Sequence, residues 1–392
     1  MRYENLSEGP VAAQESGGER ALCELYRDQF PVTHNLIYLN HAAVAPLCKR
    51  AADAQRWLSD DAEVWGSFHY DKWMSCYDGF RRQFAQMVNA TPAEIAIVKN
   101  TSEGIATVQM GFPWKAGDRV VAFREEFPAN YFPWQRLEAK GVSTTWLSIY
   151  DPLEKVEEAA RGARLLAISY VNYLSGYRVD LDALGEICAR HDVFFLVDAI
   201  QGMGVFPIDV RRSQIHALSA DGHKWLLGPE GCGVMFIAQE WQDRIEPVEF
   251  GWTNIAGYND YSCRDMALRG DAGRYECGTL NTVGCYGLEA SAGFLNEIEA
   301  AHPGELARTV TGLTDQVVAG VVAKGYEILG DRRPETASGI VSFRKEGVDS
   351  RLVVSRFREH RITAAPRQGW ARVSPHFYVR PAEIDRMLEL LP

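Results

Sequence analysis

The chain has 392 residues, 46% of them hydrophobic and 24% charged, which is enough to bury a large core and form two subdomains. A formal net charge of -11 argues against nucleic acid and anionic membrane as partners. No stretch has the form of a membrane span or a secretory core, and the eight cysteines show neither CxxC nor zinc-site spacing. Reduced thiols, no metal and a cytoplasmic setting are therefore expected.

Residues 1–20, "MRYENLSEGPVAAQESGGER", read as a polar arm, with the first helix beginning near Ala21. From about 90 to 240 the runs "EIAIV", "DRVVAF", "STTWLSI", "RLLAISYV", "VFFLVDAI", "IHALSA" and "GVMFI" predict seven strands. Helical patterns such as "SEGIATVQMGF", "ANYFPWQRLEAK" and "LDALGEICARH" lie between several of them. Near-continuous apolar strands alternating with helices predict a mostly parallel sheet covered on both faces. Ligands of such sheets bind beyond the carboxyl ends of the strands. After residue 286 two long helices, the short strands "ASGIVSFR" and "ARVSPHF" and a closing helix "PAEIDRMLELL" predict a smaller α+β unit. The expected division is thus an arm (1–20), a large domain (21–285, its N-terminal segment contributing to the small domain or an interface) and a small domain (286–392).

Three chemical types follow predicted strands. "VKNTSEG" puts Thr101 and Ser102 at a helix start, where hydroxyls and free N–H groups suit a phosphate or serve as an ordinary N-cap. "FFLVDAIQG" ends an apolar strand in Asp198, which needs a cation or strong donors if buried, with a capping role as the alternative. Gln201 follows one helical step later. In "SADGHKWLLGPEGCGVMF", Lys224 sits between His223, a tryptophan and glycine-rich turns. Burial there would lower its pKa and make the amine a nucleophile toward an aldehyde. Phosphate cradle, strand-end carboxylate and buried lysine together fit pyridoxal 5′-phosphate (PLP), held by Lys224 as a Schiff base with Asp198 against the pyridine nitrogen.

"VDAIQ" followed by "DGHKWLLGPEGCGVMF" resembles the class V aminotransferase family, which includes cysteine desulfurases, selenocysteine lyases and isopenicillin N epimerase-like proteins. "YLNHAAVAPL", "EEFPANYFPWQ", "YECGTLNT" and "ARVSPHFYVRPAEIDRML" extend the resemblance over nearly the whole chain. It implies PLP fold type I, the aspartate-aminotransferase-like α/β fold with a seven-stranded central sheet. It also implies that Lys224 is catalytic and that Thr101, Ser102, Phe127, Asn172, Asp198, Gln201 and His223 surround the cofactor. Thr279 would reach the phosphate of a second subunit, implying a homodimer. Arg372 would take the carboxylate of an amino acid substrate.

Departures from the pattern bear on the reaction. Phe127 stands where desulfurases commonly place a histidine; it can stack but cannot move a proton. No cysteine follows Cys285, so the nucleophile of a persulfide-forming desulfurase is missing. Asp221 replaces a small hydroxyl residue and is expected to point away from the phosphate. His41, in "NHAAVAP", and His69, in "GSFHYDKW", are candidates to border the substrate entrance, with a structural or surface role as the favoured alternative for each. Arg367 and Arg380 are candidates for a second acidic group, although solvated charges explain them as well. The expected activity is a PLP-dependent aminotransferase, with a cysteine or selenocysteine lyase-like or epimerase-like enzyme as runner-up, and a catalytically silent PLP-binding protein as the reading from another class.

Overall fold

The computed structural model describes residues 21–392; the arm expected at 1–20 lies outside the described residues. All seven predicted strands form: β1 (Ile95–Val98), β2 (Arg119–Phe123), β3 (Ser143–Leu147), β4 (Leu165–Ser169), β5 (Phe194–Asp198), β6 (Ala217–Asp221) and β7 (Gly233–Ile237). They make one sheet in the order β1-β7-β6-β5-β4-β2-β3, with β7 antiparallel to both neighbours and the other pairs parallel. Alternate residues sort onto opposite faces. Phe123, Ile168, Phe195, Val197 and Leu218 join one core, whereas Ala122, Ala167, Phe194, Leu196 and Ala217 join a second. Two-sided burial is the reason the inner strands read as near-continuous apolar runs, while the edge strand β3 is only partly buried.

Two long helices precede the sheet, α1 (Lys49–Trp65) and α2 (Tyr70–Val88). Helix α3 (Thr101–Gly111) follows β1 and packs against β6 so closely that a Cβ on Gly104 would lie 2.3 Å from Ser219 Oγ. The helix expected in "ANYFPWQRLEAK" is broken into the α-helix Phe132–Arg136 flanked by 3-10 turns at Pro128–Asn130 and Leu137–Lys140. Prolines at 128 and 133 lack the N–H that a continuous helix needs, and the buried Trp134 anchors the segment by donating to Asn130 Oδ1 at 3.0 Å.

Helix α4 (Thr282–Ala301) begins before the expected Gly287, because Asn281 caps it by accepting from Gly284 N. It packs on α1 and α2 and runs through position 285. Beyond it α5 (Glu305–Ala323) leads to a four-stranded sheet of β8 (Glu327–Ile328), β9 (Val341–Arg344), β10 (Ala365–Arg367) and β11 (Trp370–Val373), in the order β10-β11-β9-β8. Strand β10 contains Pro366, tolerated because β10 is an edge strand. The N-terminal segment Ile37–Tyr38 pairs in parallel with Ile362–Thr363, tying the start of the described chain to this unit. Among the described residues no helix is long and apolar enough to cross a membrane.

Candidate active site

A cavity of about 390 Å³ opens at the carboxyl ends of the sheet strands, a size common for small-ligand sites. Thr101, Ser102, Phe127, Asp198, Gln201, His223, Lys224 and Arg372 all line it, as do Asp221 and Arg367. Residues from Thr101 to Lys224 converge because β1, β4, β5 and β6 all end on one edge of the sheet, and Arg367 and Arg372 join them from the four-stranded sheet.

The Lys224 loop is held by backbone and side chains rather than by secondary structure. Ala45 N donates to His223 O at 2.7 Å, and Leu227 N to Lys224 O at 3.1 Å. Leu227 takes φ 58, a left-handed conformation unusual for a branched residue, and closes the turn after the lysine. Trp225 Nε1 donates to Gln201 Oε1 at 2.9 Å, and Gln201 Nε2 to Ala42 O at 3.0 Å. Gln201 therefore braces the loop with its amide while lining the cavity. Lys224 Nζ lies 5.7 Å from the centre of the Phe127 ring. Burial lowers the Lys224 pKa to about 8, with Asp198 opposing that shift and Arg372 adding to it.

Asp198, 2% exposed, ends β5 and accepts from Ile200 N at 3.1 Å. Burial pushes its pKa up to about 6, against the Ile200 hydrogen bond and the Lys224 charge. At the other side of the cavity Asn100 caps α3 by accepting from Glu103 N at 3.0 Å. Thr101 Oγ1 accepts from Asp221 N at 2.9 Å, leaving its own proton free to donate. Asp221 lines the cavity, with Oδ2 3.0 Å from His223 Nδ1. That contact is not aligned as a hydrogen bond, so His223 Nδ1 and Asp221 Oδ1 have no partner.

Two expected site residues stand elsewhere. His41 is no entrance residue: it is fully buried, with Nδ1 2.8 Å from Ser374 O and Nε2 2.7 Å from Tyr378 Oη, so packing claims both nitrogens. Asn172 does not line the cavity; its Nδ2 donates to Glu125 O and its Oδ1 accepts from Leu174 N and Ser175 N, which fixes the loop after β4. Thr279 lines a separate cavity of about 220 Å³ with Gly231, Cys277 and Asn281. His69 pairs with Asp61, and Arg380 with Glu24, each outside the Lys224 cavity.

Glu126 and Tyr173 were missed. Glu126 is buried and accepts from both Ser169 N and Ser169 Oγ, and Ser169 pairs with Asp198 in the β4–β5 ladder. Burial pushes Glu126 up to about 8, and the nearby Asp198 adds to the shift. The signal was the second acid of "EEFPAN", directly after a strand. Tyr173 lines the cavity, and its ring meets Phe127 edge-on at 5.2 Å.

A free-hydroxyl helix start, a buried carboxyl, a buried amine of lowered pKa and unpartnered polar atoms in one cavity suit a phosphorylated aldehyde. The comparisons with known proteins agree. A "probable cysteine desulfurase" of Pyrococcus abyssi is 29% identical over 93% of this chain and 96% of its own. The solved cysteine desulfurase of Thermococcus onnurineus superposes with a TM-score of 0.86 at 25% identity, covering 95% of this chain and 98% of that one. A solved C-DES variant, with glycine covalently linked to its PLP cofactor, shares the fold with a TM-score of 0.85 at 22% identity over 93% of this chain and 98% of its own. The family model described as aminotransferase class V matches residues 37–382. The chain belongs to the class V aminotransferase family.

Proposed function

We propose that this protein is a PLP-dependent enzyme acting on an amino acid, with Lys224 as the covalent attachment point and transamination as its reaction. The observation that carries the reading is the convergence of Lys224, Asp198 and the start of α3 on one cavity. Bound PLP supplies an aldehyde for an amine and an electron-withdrawing ring for bond breaking at the α-carbon. Thr101 and Ser102, with the N–H groups of the first turn of α3, would hold the phosphate. Asp198 would keep a proton on the ring nitrogen, since a carboxylate shut off from water is stabilised by a cation. Lys224 Nζ, with its pKa lowered to about 8, would take the proton from the substrate α-carbon near neutral pH. Arg372 would orient the substrate by its carboxylate, and Phe127 would cover the ring. Thr279 is assigned to the phosphate site of a second copy in a homodimer.

The names of the relatives, mostly cysteine desulfurase, favour C–S bond cleavage instead, and a second reading is therefore a lyase that releases its product without an enzyme-bound sulfur. The cavity lining contains no cysteine to receive sulfur, which weighs against a persulfide-forming desulfurase. Borohydride reduction of the holoprotein should tag Lys224 in a peptide map, and Lys224→Ala should lose both tag and turnover. A tag elsewhere removes the proposed role. Turnover that needs a keto acid supports transamination; turnover without one selects the lyase.

A further inference from the structure

We propose that the substrate is an acidic amino acid, one carrying a second carboxylate on its side chain, with Arg372 and Arg367 each taking one of the two anions. The proposal deepens the amino-acid reading above and rests on it.

Both arginines come from the β10–β11 hairpin and line the Lys224 cavity. The ladder sets Ala365 opposite Arg372 and Arg367 opposite Trp370, so the two arginines share one face of the hairpin. As diagonal neighbours they stand roughly 7–8 Å apart at the backbone, within reach of a ligand that touches both. The hairpin that presents them is stiff. Its turn residues Gln368 and Gly369 take φ 48 and 85, the pair of positive values a tight two-residue turn requires. Tyr173 clamps it twice, with Gln368 Nε2 donating to Tyr173 Oη at 2.7 Å and Arg372 Nη1 donating to Tyr173 O at 2.5 Å.

Neither guanidinium has an ion-pair partner among the described residues, whereas nearby Arg344 and Arg380 are paired with Glu327 and Glu24. Arg372 is 2% exposed and its Nε has no hydrogen-bond partner. Burial lowers its pKa to about 10, and the next largest cause is the charge of Arg367. Arg372 is a buried, unpaired cation that calls for an anion, and Arg367, exposed at the cavity rim, stands beside it with no anion of its own. The acids on the other side, Asp198 and Asp221, face Lys224 and His223. An α-carboxylate satisfies Arg372 alone. A side-chain carboxylate would satisfy Arg367, and a neutral side chain would leave it to water.

The test is calorimetric binding to the holoprotein of succinate and butyrate, which differ only in the second carboxylate. Succinate should bind at least about 10-fold more tightly, the scale of one charge-assisted contact. Arg367→Gln should bring that ratio to within about 2-fold, and Arg367→Lys should restore part of it. Arg380→Gln, outside the cavity, should keep the parent ratio. Equal binding in the parent, or a preference that survives Arg367→Gln, overturns the proposal. Borohydride mapping of the same preparation separates the two failures: a tag on Lys224 without a succinate preference sinks this proposal alone, and no tag sinks the cofactor reading beneath it.

Discussion

Asp198 and Glu276 are both carboxyl groups sealed within the protein, yet their surroundings are opposite. Glu276 is closed by partners. Arg81 Nη2 lies 2.6 Å from both of its oxygens, Ile97 N donates to it at 2.9 Å, and Arg269 Nη1 stands 3.9 Å away. Asp198 has one backbone donor, from Ile200, and shares a cavity with a lysine whose own charge is disfavoured. Burial raises both carboxyl groups, but around Glu276 two arginines and a backbone N–H oppose it, whereas Asp198 has one backbone N–H and the Lys224 charge. The difference teaches that the cluster at Glu276 holds the protein together, whereas the charges around Asp198 are left open for something that binds.

That contrast can be broken experimentally. Arg81→Ala should have the largest effect on folding, about 3–5 kcal/mol, because Glu276 is left buried without its main cation; urea unfolding measures it. A loss below about 1 kcal/mol would show that the cluster relaxes or takes up water. Asp198→Asn should act the other way. The cofactor-free protein should unfold no more easily than its parent, while turnover falls about 10²-fold or more, the scale of lost proton control at the reacting centre. Unchanged turnover would remove Asp198 from the chemistry.

Glu126 sharpens the comparison through pH. Its ordinary value of 4.5 rises to about 8 on burial, so between these values the folded protein keeps a proton that the unfolded chain has released. The contribution of Glu126 to the stability of the cofactor-free protein is then full below pH 4.5 and is lost as pH rises towards 8, by at most about 1.4 kcal/mol per pH unit. Asp198, raised to about 6, acts in the same direction over a lower window. Glu126→Gln should flatten the slope, as read from urea midpoints across that range; an unaltered slope would assign it to other groups. The smallest effect belongs to an exposed pair such as Lys49 and Asp53 on α1. Lys49→Ala should change stability by no more than about 0.5 kcal/mol, because solvent screens such pairs.

Much of this was legible before any coordinates. The inner strands announced themselves because they are buried on both faces and must be apolar along most of their length, whereas the partly exposed edge strand β3 showed in its β-branched and aromatic residues. Lys224 and Asp198 were legible because charges at the ends of such strands are costly without a purpose. The edge strand β10 was not, since Pro366 argues against a strand wherever an N–H must be donated inward. The sequence left His41 between an entrance role and a structural one; Tyr378 and Ser374, more than 330 residues away, close around it and make it structural. Glu126 was passed over because only the pairing of β4 with β5 brings Ser169, and thus Asp198, to its side.

The sequence alone determined the periodicities that make this sheet and the kinds of group available at its edge, because burial and backbone geometry act on each residue locally. The tertiary structure alone decided which of those groups meet. Whether a charge is paired or left open depends on residues brought together from distant segments, as Arg81 is to Glu276 while Arg367 and Arg372 face a cavity. Contacts of that kind depend on how the elements pack, and no local pattern encodes them.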